Sequence, residues 1–268
     1  MTEVKRLQEL LNGLVKKQTA PQEGEGIWRK PLLVSAKLDE RFLKLREMAA
    51  SDHLMPWELL PSAKSLIVFF LPFAKALVRE NSGGQEPSRG WGTAYVQTNE
   101  FIAKISQEMS LLLRQAGYAS AVTPPTHNFD PVRLMSRWSH KHLGYLAGLG
   151  RFGQNSQLIT PSGCAGRLGS LVTEADLGDH PLDLGKEACL HKMGKPCLKC
   201  FKRCPVGALS LNGFDRKACW ERLKLNRERA SSLAGLPENT HVCGKCVAML
   251  PCSFKDPVAA SALQLACP

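Results

Sequence analysis

Eight cysteines between residues 189 and 252 are the residues of this 268-residue sequence best suited to chemistry. Cys197-Leu-Lys-Cys200-Phe-Lys-Arg-Cys204-Pro205-Val-Gly-Ala208 ends as a bacterial ferredoxin run ends: close thiolates share one iron-sulfur cluster, and the cysteine before proline serves a second. The usual first cysteine would stand at 194, but Gly194 is there and Cys189, eight residues ahead of Cys197, is the available thiol. Cys219, the pair Cys243-Gly-Lys-Cys246, and Pro251-Cys252 make a second set. Two-cluster ferredoxins exchange their last ligands, so the spacing assigns Cys189, Cys197, Cys200 and Cys252 to one 4Fe-4S cluster and Cys219, Cys243, Cys246 and Cys204 to the other. Soft thiolates at tetrahedral corners are what such a cluster needs, with paired ligands from short spacings and the rest from farther along the chain. Two structural zinc sites are the competing chemistry, because Cys-x-x-Cys pairs also hold zinc. The Cys-Pro-x-x-Ala ending, with Asp215 and Cys219 following, favours iron-sulfur.

The rest of the composition agrees with a reduced thiol set. A chain of this length with 44% hydrophobic residues can bury a core without disulfide staples. Its longest apolar stretch, Ser65 to Leu71, falls far short of the roughly 20 residues of a membrane span, and charges interrupt the N-terminus where a signal peptide would be apolar. The expected location is the cytoplasm, where clustered cysteines are metal ligands or catalysts before they are disulfides. The formal net charge is +11, of which +9 lies between Lys186 and Lys255, among the cysteines. The clusters' own negative charge would offset part of it, so charge alone is a poor argument for nucleic-acid binding.

Elements must position these thiols. Val4, Leu7, Leu10, Leu11, Leu14 and Val15 predict an amphipathic helix ending before Pro21, and Leu66 to Leu71 predicts a central strand. Asn81 to Gly92 reads as a loop. Phe101, Ile102, Ile105, Met109, Leu112 and Leu113 predict a second helix capped by Gly117, before a short strand at Ala121 and Val122. A third helix is expected from Pro131 to Leu149, then strands at Leu158 to Thr160 and Leu168 to Thr173. The predicted organisation is an α/β domain over residues 1–180, a cysteine module over 186–255 and a tail over 256–268 whose Cys267 is incidental.

Gly148-Leu-Gly150-Arg-Phe-Gly153 spells a dinucleotide fingerprint, but it follows a helix and precedes a strand, the reverse of what that fingerprint requires. The glycines end the third helix and let the backbone approach a neighbouring element or a cofactor. The stretch Ala147 to Thr160, the turn around Cys164 and Gly166, Leu168 to Leu177 and the two cysteine runs together resemble the epoxyqueuosine reductases and the catalytic core of reductive dehalogenases. The resemblance is good over residues 125 to 255. It implies an α+β fold: a modified nitroreductase-like α/β sandwich holding a corrinoid (cobalamin), followed by a ferredoxin-like module whose two clusters reduce it. FMN is the runner-up cofactor, because nitroreductase-like folds often hold flavin.

The resemblance also implies a catalytic acid shortly before Ala147, and Asp130 is the best match. The alternative is that Asp130 caps the helix opening at Pro131. Gly148, Gly150, Gly153, Gln154, Asn155, Thr160 and Arg167 are the expected cofactor contacts, and Asp130 the expected proton donor, with its pKa raised beside an apolar cofactor. His140 and His142, two apart on a helix, cannot jointly hold a metal. Cys164 reads as a buried small residue, with a role at the cofactor pocket as the alternative. Epoxyqueuosine reductases commonly carry a C-terminal helical-repeat extension that helps hold tRNA, and this sequence stops soon after Cys252. The expected function is therefore reduction of a small-molecule substrate, with electrons from an external donor such as a ferredoxin or flavodoxin. Epoxyqueuosine reduction on tRNA and simple electron carriage without a second cofactor are the alternatives. About 180 residues of scaffold exceed what a carrier needs.

Overall fold

The computed structural model describes residues 2–18, 26–125 and 129–260. The chain forms two compact units: 1–71, 99–149 and 166–183 build the first, and 72–98, 150–165 and 184–268 the second. In place of one break near residue 180, the sequence passes back and forth, and the stretches 72–98 and 150–165 belong with the cysteines.

The first unit is built on a four-stranded sheet in the order Leu32–Lys37, Ser65–Pro72, Gly166–Thr173, Ser120–Val122. Every residue of Ser65–Pro72 is buried, as an apolar run of β-formers with neighbours on both edges should be. It pairs antiparallel with Leu32–Lys37, Val34 opposite Val68, and Ser120–Val122 pairs antiparallel with Gly166–Thr173, Ala121 opposite Val172. Glycines in the last strand make room for aromatic rings: a Cβ on Gly169 would stand 2.3 Å from the Phe69 ring, and one on Gly166 2.5 Å from that of Phe70. The helix Glu3–Gln18 buries Leu7, Leu11 and Val15, one residue per turn on one face.

The helix expected from Phe101 is longer than its apolar stripe, running Arg89–Gln115, so Gly90 and Gly92 sit in its first turn and not in a loop. Phe101, Ile102, Ile105, Met109 and Leu113 are its buried face. Gly117, at φ +88°, ends it, with Tyr118 N–H donating to the Leu113 carbonyl.

The third expected helix is corrected. Residues 131–134 form a turn inside a small hairpin, Phe129–Asp130 pairing with Met135–Ser136, and helix begins only at His140 and runs to Leu146. Leu134 adopts φ +55°, which breaks any helix across it.

In the second unit the hairpin Arg151–Phe152/Leu158–Ile159, the helix Lys199–Arg203, the hairpin Leu209–Ser210/Gly213–Phe214 and the helix Arg216–Arg229 surround the cysteines. No described helix is long and apolar enough to cross a membrane.

Candidate metal centres

The run from Cys197 to Cys204 is split by its own local chemistry. Cys197 precedes the helix Lys199–Arg203, Cys200 lies in its first turn, and Cys204 caps its end at φ −72°, ψ 116°. Pro205 excludes the α conformation for the residue before it, so Cys204 leaves the helix instead of staying on the face of Cys200. Its Sγ accepts from the Ala208 N–H at 3.2 Å.

Each other thiol has its own anchor. Cys189 is held by Glu187, whose Oε1 accepts from the backbone N–H groups of Ala188 and Cys189. The turn that follows closes on Gly194 at φ +75°, so glycine at the usual cysteine position serves the loop that brings Cys189 round. Cys219 sits in the first turn of Arg216–Arg229, capped by Asp215, which accepts from Ala218 N–H at 2.9 Å. Between Cys243 and Cys246, Gly244 takes φ +71°, and any Cβ there would stand 2.2 Å from the Trp91 ring. Cys252 is placed by a tight turn in which Ser253 Oγ donates to the Val247 carbonyl and accepts from Leu250 N–H.

Cys189, Cys197, Cys200 and Cys252 open onto one cavity, with Gln154, Lys199, Pro251 and Pro257 also in its wall. Burial lifts the Cys200 thiol to about 11, and the nearby Cys252 and Cys189 add to it. Burial lifts Cys219 to about 11, with Cys243 and Cys204 contributing, and lifts Cys246 further, with Cys243, Cys219, Cys204 and also Cys200 contributing. The raised pKa values keep Cys200, Cys219 and Cys246 neutral at pH 7 as free thiols, and a bound cation would reverse that by stabilising the thiolates. Among the described residues, no three or more Cys, His, Asp or Glu side chains already converge as a formed metal site. The donor set nonetheless fits iron-sulfur chemistry: two groups of four soft ligands, each gathered from several loops, with no carboxylate or imidazole in the first group's cavity.

The residues expected to hold a second cofactor are largely spent on the protein itself. The argument that their glycines leave backbone uncovered is corrected, because the space of each missing side chain is filled: Pro181 at Gly148, the Ile159 carbonyl at Gly150, Asn155 and Ile159 at Gly153. Asn155 Nδ2 donates to the Cys246 carbonyl at 3.0 Å and its Oδ1 accepts from Gln157 N–H. Thr160 is fully buried, its hydroxyl donating to the Gly163 carbonyl at 2.8 Å. Gln154 faces the cysteine cavity, and Arg167 is half-buried in the Gly166–Thr173 strand. Packing inside the protein thus accounts for the three glycines, and internal hydrogen bonds for Asn155 and Thr160.

Asp130 also departs from expectation. Its Oδ1 accepts from the N–H groups of Val132 and Arg133, and its Oδ2 pairs with Arg133 Nε at 2.8 Å. Those contacts hold its pKa down to about 2, opposite in direction to the raised value expected, so the carboxyl is ionised in this arrangement. It caps a turn, not a helix. It lines an open cleft with Asp52, Leu54, Phe129, Arg133, Arg137 and Trp138, in which Arg133 also reaches Asp52 at 2.6 Å. His140 bonds Ser170 Oγ through Nδ1 at 2.8 Å, and His142 bonds Ser139.

No family model matches the sequence, and no curated protein does. Solved structures do. An epoxyqueuosine reductase from Bacillus subtilis, solved with its catalytic aspartate loop swung out of the active site, matches 93% of this chain over 66% of its own at 16% identity and TM-score 0.54. An epoxyqueuosine reductase with a tRNA-Tyr epoxyqueuosine-modified stem loop matches 96% over 71% of its own, at 17% identity and TM-score 0.54. A reductive dehalogenase whose structure suggests a mechanism for B12-dependent dehalogenation matches 96% over 38% of its own, at 17% identity and TM-score 0.53. The fold is that of the epoxyqueuosine reductases and reductive dehalogenases. This epoxyqueuosine reductase-like fold spans most of the reductase chains and little more than a third of the dehalogenase chain. Sequence reasoning missed Pro257 and Trp91 at the cysteines, because their places arise from packing that leaves no spacing signal.

Proposed function

We propose that this chain is an oxidoreductase whose cysteines hold two 4Fe-4S clusters, one on Cys189, Cys197, Cys200 and Cys252 and the other on Cys204, Cys219, Cys243 and Cys246. The observation that carries this reading is that the four thiols assigned by spacing to the first cluster, Cys189, Cys197, Cys200 and Cys252, line one cavity. Bound clusters of this kind supply one-electron transfer. The protein's part is to bind and shield them. Cys243 and Cys246 are half-buried, and Lys245 and Arg222, both felt by Cys243, set positive charge beside it.

In this reading electrons enter from an external carrier such as a ferredoxin or flavodoxin and pass to cobalamin, for reduction of a small-molecule substrate. Cobalamin is preferred over FMN because of the likeness to a B12-dependent dehalogenase. Because Gly148, Gly150 and Gly153 pack against the protein's own atoms, this reading gives those three no contact with it. If Asp130 acts as the proton donor, Arg133 must first release it. The likeness to a tRNA-bound reductase favours epoxyqueuosine reduction on tRNA as the second reading.

Protein purified without oxygen should be brown and carry about eight irons per chain by this ligand arithmetic. Stoichiometric zinc without visible cluster absorption would overturn the reading. Added cobalamin should change the spectrum and raise the unfolding temperature, whereas a response to FMN alone would select flavin, and a response to neither the simple carrier. Accumulation of epoxyqueuosine in tRNA from a strain lacking the protein would select the second reading.

A further inference from the structure

Cys164 is a ninth thiol that the two groups of four leave over. It is 5% exposed, and its Sγ lies 3.8 Å from Cys252 Sγ. Main-chain bonds fix that approach: Cys164 N–H donates to the Cys252 carbonyl at 2.9 Å and Ala165 N–H to the Ser253 carbonyl at 3.1 Å. The two segments come this close because residue 163 is glycine, at φ +84°, where a Cβ would stand 2.3 Å from the Ser253 carbonyl oxygen. On its other side Asn155 Nδ2 approaches Cys164 Sγ at 3.8 Å while donating to the Cys246 carbonyl. A thiol has one weak donor hydrogen and a weakly accepting sulfur. With the amide on its lone-pair side, the S–H is left to point at Cys252.

We propose that Cys164 donates a hydrogen bond to the Cys252 sulfur and so tunes the reduction potential of the cluster on Cys189, Cys197, Cys200 and Cys252. This rests on the cluster reading above. A cluster-bound Cys252 thiolate has no proton to give, so the donor in the pair is Cys164. Reduction adds negative charge to the cluster and its sulfurs, so a donor aimed at one of them favours the reduced form and raises the potential. Asn155, joined to Cys164 on one side and to the main chain of Cys246 on the other, keeps the thiol oriented.

The test compares wild type, Cys164→Ala and Cys164→Ser after anaerobic reconstitution, by iron analysis and EPR-monitored redox titration. All three should carry the same iron. In Cys164→Ala one cluster potential should fall while the other stays, and Cys164→Ser, which keeps a donor, should return it toward wild type. Loss of half the iron from Cys164→Ala would make Cys164 a ligand and overturn the proposal. So would unchanged potentials, an equal shift of both clusters, or a serine variant that behaves like alanine. A wild type that binds no iron defeats the cluster reading, and the inference with it; a loaded wild type with an unshifted alanine variant defeats only the inference.

Discussion

Two single residues carry predictions that do not depend on any cofactor. Ser170 Oγ accepts from Trp138 Nε1 at 3.0 Å and meets His140 Nδ1 at 2.8 Å, and burial, with Arg167 nearby, lowers the His140 pKa to about 4. The ring is therefore neutral in the folded protein, while the unfolded chain takes up its proton near pH 6.5. Between those values the unfolded state binds more protons, so stability present above pH 6.5 is lost as pH falls toward 4, by about 3 kcal/mol over the window. Denaturant unfolding at a series of pH values should show that slope in wild type and lose most of it in His140→Gln. The second residue is Gly163. Gly163→Ala combines a left-handed backbone with a Cβ 2.3 Å from a main-chain oxygen, and should cost at least about 2 kcal/mol in thermal unfolding. At this scale the grouping of Cys189, Cys197, Cys200 and Cys252 was legible from the pattern of cysteine spacings, and these four do line one cavity. The lowered pKa of Asp130 was not legible because Arg133, three residues on, is a partner only once the turn has formed.

Elements with a long apolar stripe were legible, since the first helix, the Ser65–Pro72 strand and the buried face of Arg89–Gln115 are each written as one period. The stretch after Asp130 misled because Asp followed by Pro131 is a common helix opening, yet Val132 is 89% exposed and Leu134 has a positive φ. The helix Arg216–Arg229 lacks a stripe and has its buried residue Asn226 bonded to the Val242 carbonyl, so periodicity could not announce it. What secures it at the start is Asp215. Asp215→Ala should remove about 1 kcal/mol of stability and loosen the first turn that carries Cys219, seen as faster amide exchange over residues 216–220.

At the scale of the whole molecule, the stretch 72–98 matters to the cysteines though it holds none of them. The buried Lys245 donates through Nζ to the carbonyls of Asn81 at 2.9 Å and Gly83 at 2.6 Å, Arg203 donates to Ser82 and Arg222 to Gln85. Three cations beside the cysteine runs are thus bonded to one loop from a hundred residues earlier. A fragment of residues 184–268, which contains all eight assigned ligands, should therefore stay largely unfolded and take up far less iron per chain than the full protein, as circular dichroism and iron analysis will show. The alternation of the chain between its units has a further consequence, for the order of events on the ribosome. Cys252 is synthesised after the whole of the first unit and both earlier stretches of the second, so the first group of four thiols is complete only once Cys252 has emerged, and the second only once Cys246 has. Iron delivery during synthesis would meet a partial ligand set, and the cell must keep eight unpaired thiols reduced until the last of them has emerged.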